Sequence, residues 1–128
     1  MHKYFIALVF LALNIAQVTW TMQSSQRAFK YEKRKLQHVF DRHKEDFGMD
    51  KKWNKDTQKE FEQTLCDHVQ NPQTSQILGT YRGKIQAVHY LASATSVNVT
   101  TSPKGSLIAG WKLDAKQVDC VQTTGNLQ

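Results

Sequence analysis

The sequence predicts an α+β domain in which N-terminal helices pack on an antiparallel sheet of about four strands, with a short C-terminal helix after the sheet. Three observations predict it. Apolar residues recur at helical spacing between Phe29 and Val69, the period changes to two from Ile77 onward, and a helix-capping signal returns at Asp114 with a stop at Gly125. At 128 residues the chain fills one domain and is too short for two separate cores.

The chain opens on Met1-His2-Lys3, then an apolar run from Tyr4 to Ala16 that Asn14 interrupts. Polarity returns at Gln17 and Thr19, short of the roughly 20 apolar residues of a membrane span, so residues 1–21 read as a secretory signal peptide rather than an uncleaved anchor. Cleavage fits after Thr21 or after Ala16. The mature form is expected to be secreted, without an integral membrane segment, and a monomer by default of size. Residues 22–32 read as a polar lead-in, loosely ordered from Met22 to Ala28, and residues 33–128 as the folded domain.

The first helix is expected to start near Phe29 and to run with Leu36, Phe40, His43 and Phe47 on one face until Gly48 stops it. Trp53-Asn54 leads into a second helix with Thr57 and Glu60 spaced as a capping box, a buried stripe of Phe61, Leu65 and Val69, and a stop at Asn71-Pro72. Ile77–Arg82, a turn at Gly83, and Ile85–Leu91 read as a β-hairpin. Val97–Thr100 is the next strand, Pro103-Lys104-Gly105 the next turn, and Ser106–Trp111 the strand after it. Asp114 and Gln117 cap the last helix, with Leu113 and Val118 as a hydrophobic staple.

Lys and Arg number 17 against 11 Asp and Glu, a formal charge of +6 that falls to +5 once the leader with Lys3 is removed. Such a balance on a small domain favours anionic partners, nucleic acid, phospholipid or an acidic inhibitor, or simply keeps the protein soluble. Cys66 and Cys120 either form one disulfide in an oxidising compartment or serve as two small core residues. No cysteine or histidine spacing resembles a zinc site, and no glycine-rich loop precedes a helix, so neither a metal nor a nucleotide cofactor is expected. Asn98-Val99-Thr100 is a glycosylation sequon on an expected central strand, where access is doubtful.

Histidines are the side chains that exchange protons near neutral pH without a perturbed pKa. His43, between Phe40 and Phe47 on the apolar stripe, reads as a core or boundary residue, and His68, in the last turn of its helix, as structural. His38 lies off the stripe beside the basic run Lys33-Arg34-Lys35, where a phosphate would be held, and is the leading general acid or base. His89 faces either the same cleft or the core, with a cross-hairpin partner near Arg82. RNA cleavage needs a base for the 2′-hydroxyl, an acid for the 5′-oxygen, and cations or donors for the phosphorane charge, and the chain carries all three.

Several ordered blocks add a resemblance. Lys35-Leu36-Gln37-His38, Phe40-Asp41, His43 and Asp46-Phe47-Gly48 resemble the opening helix of the colicin D nuclease domain. Trp53-Asn54-Lys55, Gly79-Thr80-Tyr81-Arg82-Gly83, His89-Tyr90, Asn98-Val99, Gly105, Gly110-Trp111-Lys112-Leu113 and Gly125-Asn126-Leu127 follow in that family's order. The resemblance spans roughly residues 33 to 127. It implies a metal-independent toxin RNase that cuts the anticodon loop of tRNA, leaves a 2′,3′-cyclic phosphate, and is neutralised by an acidic immunity protein.

By the same resemblance His38 stands for the family's essential histidine, Lys35 for a lysine on the scissile phosphate, and Trp111 for the tryptophan of the small-Gly-Trp block, where it either stacks a base or packs in the core. His89 is the second proton carrier, and Lys33, Arg34, Thr80, Arg82 and Lys112 are the expected substrate contacts. Gln37 and Ala109 depart from the family, which has lysine and serine there. Those losses support an alternative reading, a weakened or inactive toxin-like module that binds RNA or an immunity protein. A third reading, membrane action by the basic first helix, requires its apolar face to be free.

Overall fold

The computed structural model describes residues 27–128; the expected leader and the lead-in up to residue 26 lie outside the described residues. An extended strap (residues 27–32) leads into α1 (Lys33–His43), a 3-10 turn (Lys44–Phe47) and α2 (Lys55–Gln70). Then come β1 (Ser75–Tyr81), β2 (Ile85–Ala92), β3 (Val97–Thr101), β4 (Leu107–Lys112), α3 (Ala115–Thr124) and β5 (Asn126–Leu127). The class is the α+β arrangement expected. The sheet has five strands in the order β4-β3-β2-β1-β5, antiparallel except where β5 pairs parallel with β1.

Phe29 is not helical. Glu32 is extended at the N-cap of α1, and upstream the strap pairs with the start of β4, Lys30 donating its N–H to Gly105 and accepting from Leu107, both at 2.9 Å. β4 is an edge strand, so the strap satisfies backbone groups that a helix over the same residues would leave open. Arg27 fastens the strap: its guanidinium donates to the carbonyls of Val69 at 2.9 Å and Thr74 at 3.0 Å and lies over the Tyr90 ring. Residues 27 and 28 are therefore ordered parts of the domain, where the sequence suggested a loose lead-in. The close approach needs Gly105, since a Cβ there would lie 2.6 Å from the Ala28 carbonyl oxygen.

α1 buries Leu36, Val39 and Phe40, and α2 buries Phe61, Leu65 and Val69, against Val88, Tyr90, Val99 and Leu107 of the sheet. Each such side chain stabilises the fold by about 1.5–3 kcal/mol relative to exposure. The apolar face of α1 is thus occupied, which removes the basis of the membrane reading. Among the described residues no helix is long and apolar enough to cross a membrane. The capping box of α2 sits one turn earlier than expected. Asn54 Oδ1 accepts the N–H groups of Asp56 and Thr57 at 2.9 Å, and Thr57 Oγ1 accepts that of Asn54.

The opposite face of the sheet packs Leu91, Ile77 and Tyr81 with Leu113, Val118, Val121 and Leu127. α3 is closed by the expected Asp114–Gln117 box and by Gly125 in the left-handed region. The turn between β1 and β2 is three residues, Arg82 to Lys84, between the paired Tyr81 and Ile85, with Arg82 and Gly83 at φ of 55° and 71°. A bulge in β4 sets Thr100 against Ala109 and Thr101 against Leu107, leaving Ile108 as the extra residue. Without it Leu107 and Ala109 would share a face; with it Leu107 enters the helix-side core while Ala109 and Trp111 turn to the other side.

Cys66 and Cys120 are free and half-buried, on α2 and α3, so they form neither a disulfide nor part of the core. Asn98 is fully buried, which closes the sequon.

His68 and His89 are both held as neutral imidazoles. His68 Nε2 donates to the Tyr90 carbonyl at 2.7 Å, and burial pushes its pKa below the ordinary 6.5. Burial does the same to His89. In the unfolded chain both take up a proton near 6.5, so below that pH the unfolded state binds more protons than the folded one. The stability they confer is full above about pH 7.5 and is lost progressively as pH falls below 6.5 toward the lowered folded values. Urea midpoints at pH 7.5 and 5.5 should therefore differ, the acid value being lower; equal midpoints would contradict the buried neutral assignment.

Candidate functional site

Gly110 decides how closely α1 approaches β4. A Cβ there would lie 3.3 Å from Phe47 Cζ and 3.5 Å from Val39 Cγ1, so glycine lets the end of α1 and its 3-10 turn rest on the strand. Asp46 completes the contact by accepting the N–H of Lys112 on Oδ2 at 3.0 Å. Between α1, β4 and the β1–β2 hairpin a cleft of about 470 Å³ remains, lined by Lys35, His38, Arg42, His43, Tyr81, Arg82, Ala109 and Trp111 among others.

Lys35, His38 and Arg42 are spaced on α1 so that they share one stripe, with His43 at its end. His43 leaves helical geometry, with φ of −135° and ψ of 14°. Its Nδ1 lies 3.5 Å from Asp46 Oδ2, and its ring centroid is 5.9 Å from that of Trp111. Both His43 and Asp46 are about one third exposed, at 33% and 32%. A carboxylate this close to Nδ1 is placed to orient the ring, the arrangement in which an imidazole carries protons.

Trp111 is half-buried between the two walls. Its indole N–H donates to Gln117 Oε1 at 3.4 Å, and its ring meets Tyr81 edge-on at 6.4 Å. Across the mouth the Arg82 guanidinium lies 5.3 Å from the centre of the Tyr81 ring. Positive φ at a non-glycine residue costs about 1–2 kcal/mol, and Arg82 occupies the turn position that asparagine or glycine would fill without that strain. The cleft thus joins two imidazoles, three cations and an aromatic wall, a set suited to a phosphodiester with a planar base attached.

Of the expected site residues, Lys35, His38, Arg82 and Trp111 come together here. His89 does not. It is fully buried, paired across β2 with Ile77 rather than near Arg82, its Nε2 donating to the carbonyls of Thr80 and Gly125 and its Nδ1 bonded to Thr100 Oγ1 at 2.8 Å. Thr80 spends its hydroxyl on Asn126 Oδ1 at 2.9 Å. Lys33, Arg34 and Lys112 are exposed but do not line the cleft, nor does Gln37. Ala109 lines it.

Three cleft residues escaped the sequence reading as site residues: His43, taken for a core or boundary residue, Arg42 and Tyr81. The signal was present in His43 and Asp46 three residues apart just before the Gly48 stop, a spacing that places a carboxylate beside an imidazole at a helix end.

Comparison with known proteins agrees with this geometry. The family model described as Colicin D matches residues 35–121. A solved structure described as a ribonuclease from Escherichia coli complexed with its inhibitor protein is similar, at 29% identity and a TM-score of 0.62 over 72% of this chain and 99% of that one. A comparison with curated protein sequences returns no match. With the family model covering most of the chain, including nearly all of α1 and the strands β1 to β4, the chain belongs to the colicin D family.

Proposed function

We propose that the protein is a secreted ribonuclease toxin that cleaves tRNA in its anticodon loop, and that the cleft between α1 and β4 is its active site. The observation that carries this reading is the carboxylate-held His43 packed beside Trp111 in a cleft that also receives Lys35, His38, Arg42 and Arg82. One imidazole takes the proton of the 2′-hydroxyl as its oxygen attacks phosphorus, and the other returns a proton to the departing 5′-oxygen, leaving a 2′,3′-cyclic phosphate. His43 and His38 fill these roles, His43 with the better-defined geometry.

Lys35 and Arg42 flank His38 on α1 and, with Arg82 opposite, neutralise the phosphorane charge. Arg42 supplies the cation that Gln37 lacks. Trp111 and Tyr81 offer faces on which an unstacked loop base rests. Lys33, Arg34 and Lys112 contribute to the outer positive field that draws RNA in, and His89 with Thr80 supports the cleft from beneath. An acidic inhibitor protein is the expected partner, in keeping with the complex formed by the similar ribonuclease.

Ala109 favours a second reading. It lines the cleft where the resemblance implies a hydroxyl-bearing residue, and losing one donor aimed at developing charge costs about 10²–10³-fold in rate. A binding module without turnover would result. Incubation of the purified protein with total tRNA in EDTA, with mapping of fragment ends, separates the two. Discrete anticodon-loop cuts ending in cyclic phosphate are expected; bound but intact tRNA at high protein concentration would select the binding module.

A further inference from the structure

We infer that the strap adds a second RNA-binding segment to the cleft, a basic groove that takes the phosphate backbone of the substrate beyond the scissile position. The inference rests on the ribonuclease reading above. Two further hollows continue the cleft along the strap. One of about 430 Å³ lies between Lys30, Glu32, Lys35, Ser106 and Leu107. The next, about 490 Å³, lies between Arg27, Lys30, Gln70 and Lys104.

The three hollows share walls. Lys35 lines the first and second, and Lys30 lines the second and third, so the lysines run in series from the two histidines to the far end of the strap. Lys30, Lys35 and Lys104 are exposed, and Glu32 is the one carboxylate among the lining residues of these two added hollows. Lys30 is held in line because its backbone is bonded to Gly105 and Leu107, which also places it beside the turn that carries Lys104. Arg27 is committed to the carbonyls of Val69 and Thr74 and acts as the anchor of the strap.

A row of lysines along an open groove suits a regularly spaced polyanion better than a single anion, and a flexible RNA strand leaving the cleft can follow it. The strap itself precedes the family-matched residues 35–121. Lysines that meet phosphates set affinity and its salt dependence without changing the chemical step.

The test compares the purified protein with its Lys30→Gln/Lys104→Gln double variant, which keeps the backbone bonds of the strap. On intact tRNA the KM should rise roughly tenfold with kcat unchanged, and the slope of log affinity against log salt should fall by about 0.7 for each lysine lost. On a trinucleotide that fills only the cleft both proteins should perform alike. An unchanged KM and salt slope on tRNA would overturn the groove while leaving the nuclease intact. Those unchanged values with weakened binding of polyglutamate would assign the surface to an acidic protein and overturn it equally. Failure of the unmodified protein to bind or cut any RNA would overturn the ribonuclease reading itself, and this one with it.

Discussion

His43→Ala is expected to lower RNA cleavage by about 10²–10⁴-fold, the range for removing a positioned general acid or base. The ring is about one third exposed and its carboxylate partner also bonds the Lys112 N–H, so Asp46 keeps a partner and the fold should survive. The loss should therefore appear in kcat with an unchanged thermal midpoint. Asp46→Asn should cost less, because an amide in the same place can still orient the ring. His38→Ala is the companion measurement: His38 is more exposed, has no carboxylate within ion-pair distance among the described residues, and should lose less. Near-normal turnover in His43→Ala with turnover abolished in His38→Ala would transfer the principal role to His38.

The largest effect on stability is expected from Gly79→Ala. A Cβ at Gly79 would lie 1.8 Å from the Gly125 carbonyl oxygen, far inside contact distance, and both sides of the clash are backbone. That oxygen accepts the Thr80 N–H at 2.8 Å and the His89 Nε2 at 2.9 Å. Pushing it away breaks both bonds and removes part of the bonding that lets His89 stay buried, a combined cost of about 3–5 kcal/mol. A domain of this size holds about 5–15 kcal/mol in total, so the urea midpoint should drop by about a fifth or more. Gly48→Ala is the control, since a Cβ there meets nothing within 4 Å and only the positive φ is penalised, by about 1 kcal/mol. Equal midpoints for the two variants would show that β1 and Gly125 separate without cost.

Periodicity was enough for the long elements. Leu36 and Phe40 on α1 and Phe61, Leu65 and Val69 on α2 lie where the pattern puts them, because burying one face of a helix writes its period into the sequence. Asp114 with Gln117, and Gly125 after them, marked α3 because caps are local chemistry. β5 was not legible: two residues carry no period, and the strand exists only because Gly79 admits the Gly125 backbone beside it. Phe29 matched the helical spacing of α1, yet the open edge of β4, remote in sequence, bound the strap as extended chain.

The same division applies to the candidate site. Lys35, His38, Arg82 and Trp111 could be named from residue type and block order, which reflect the chemistry that a phosphate and a base demand. By itself the sequence determined the class of fold, the basic first helix and the family blocks. Tertiary structure alone decided which histidine meets Trp111 and which is sealed beneath the sheet. The bulge at Ile108 turns Ala109 and Trp111 to the cleft side, and Gly110 lets His43 close on them, while Thr100 and the Gly125 carbonyl hold His89 in the interior. Those choices depend on contacts between residues far apart in the chain, which no local period or motif encodes.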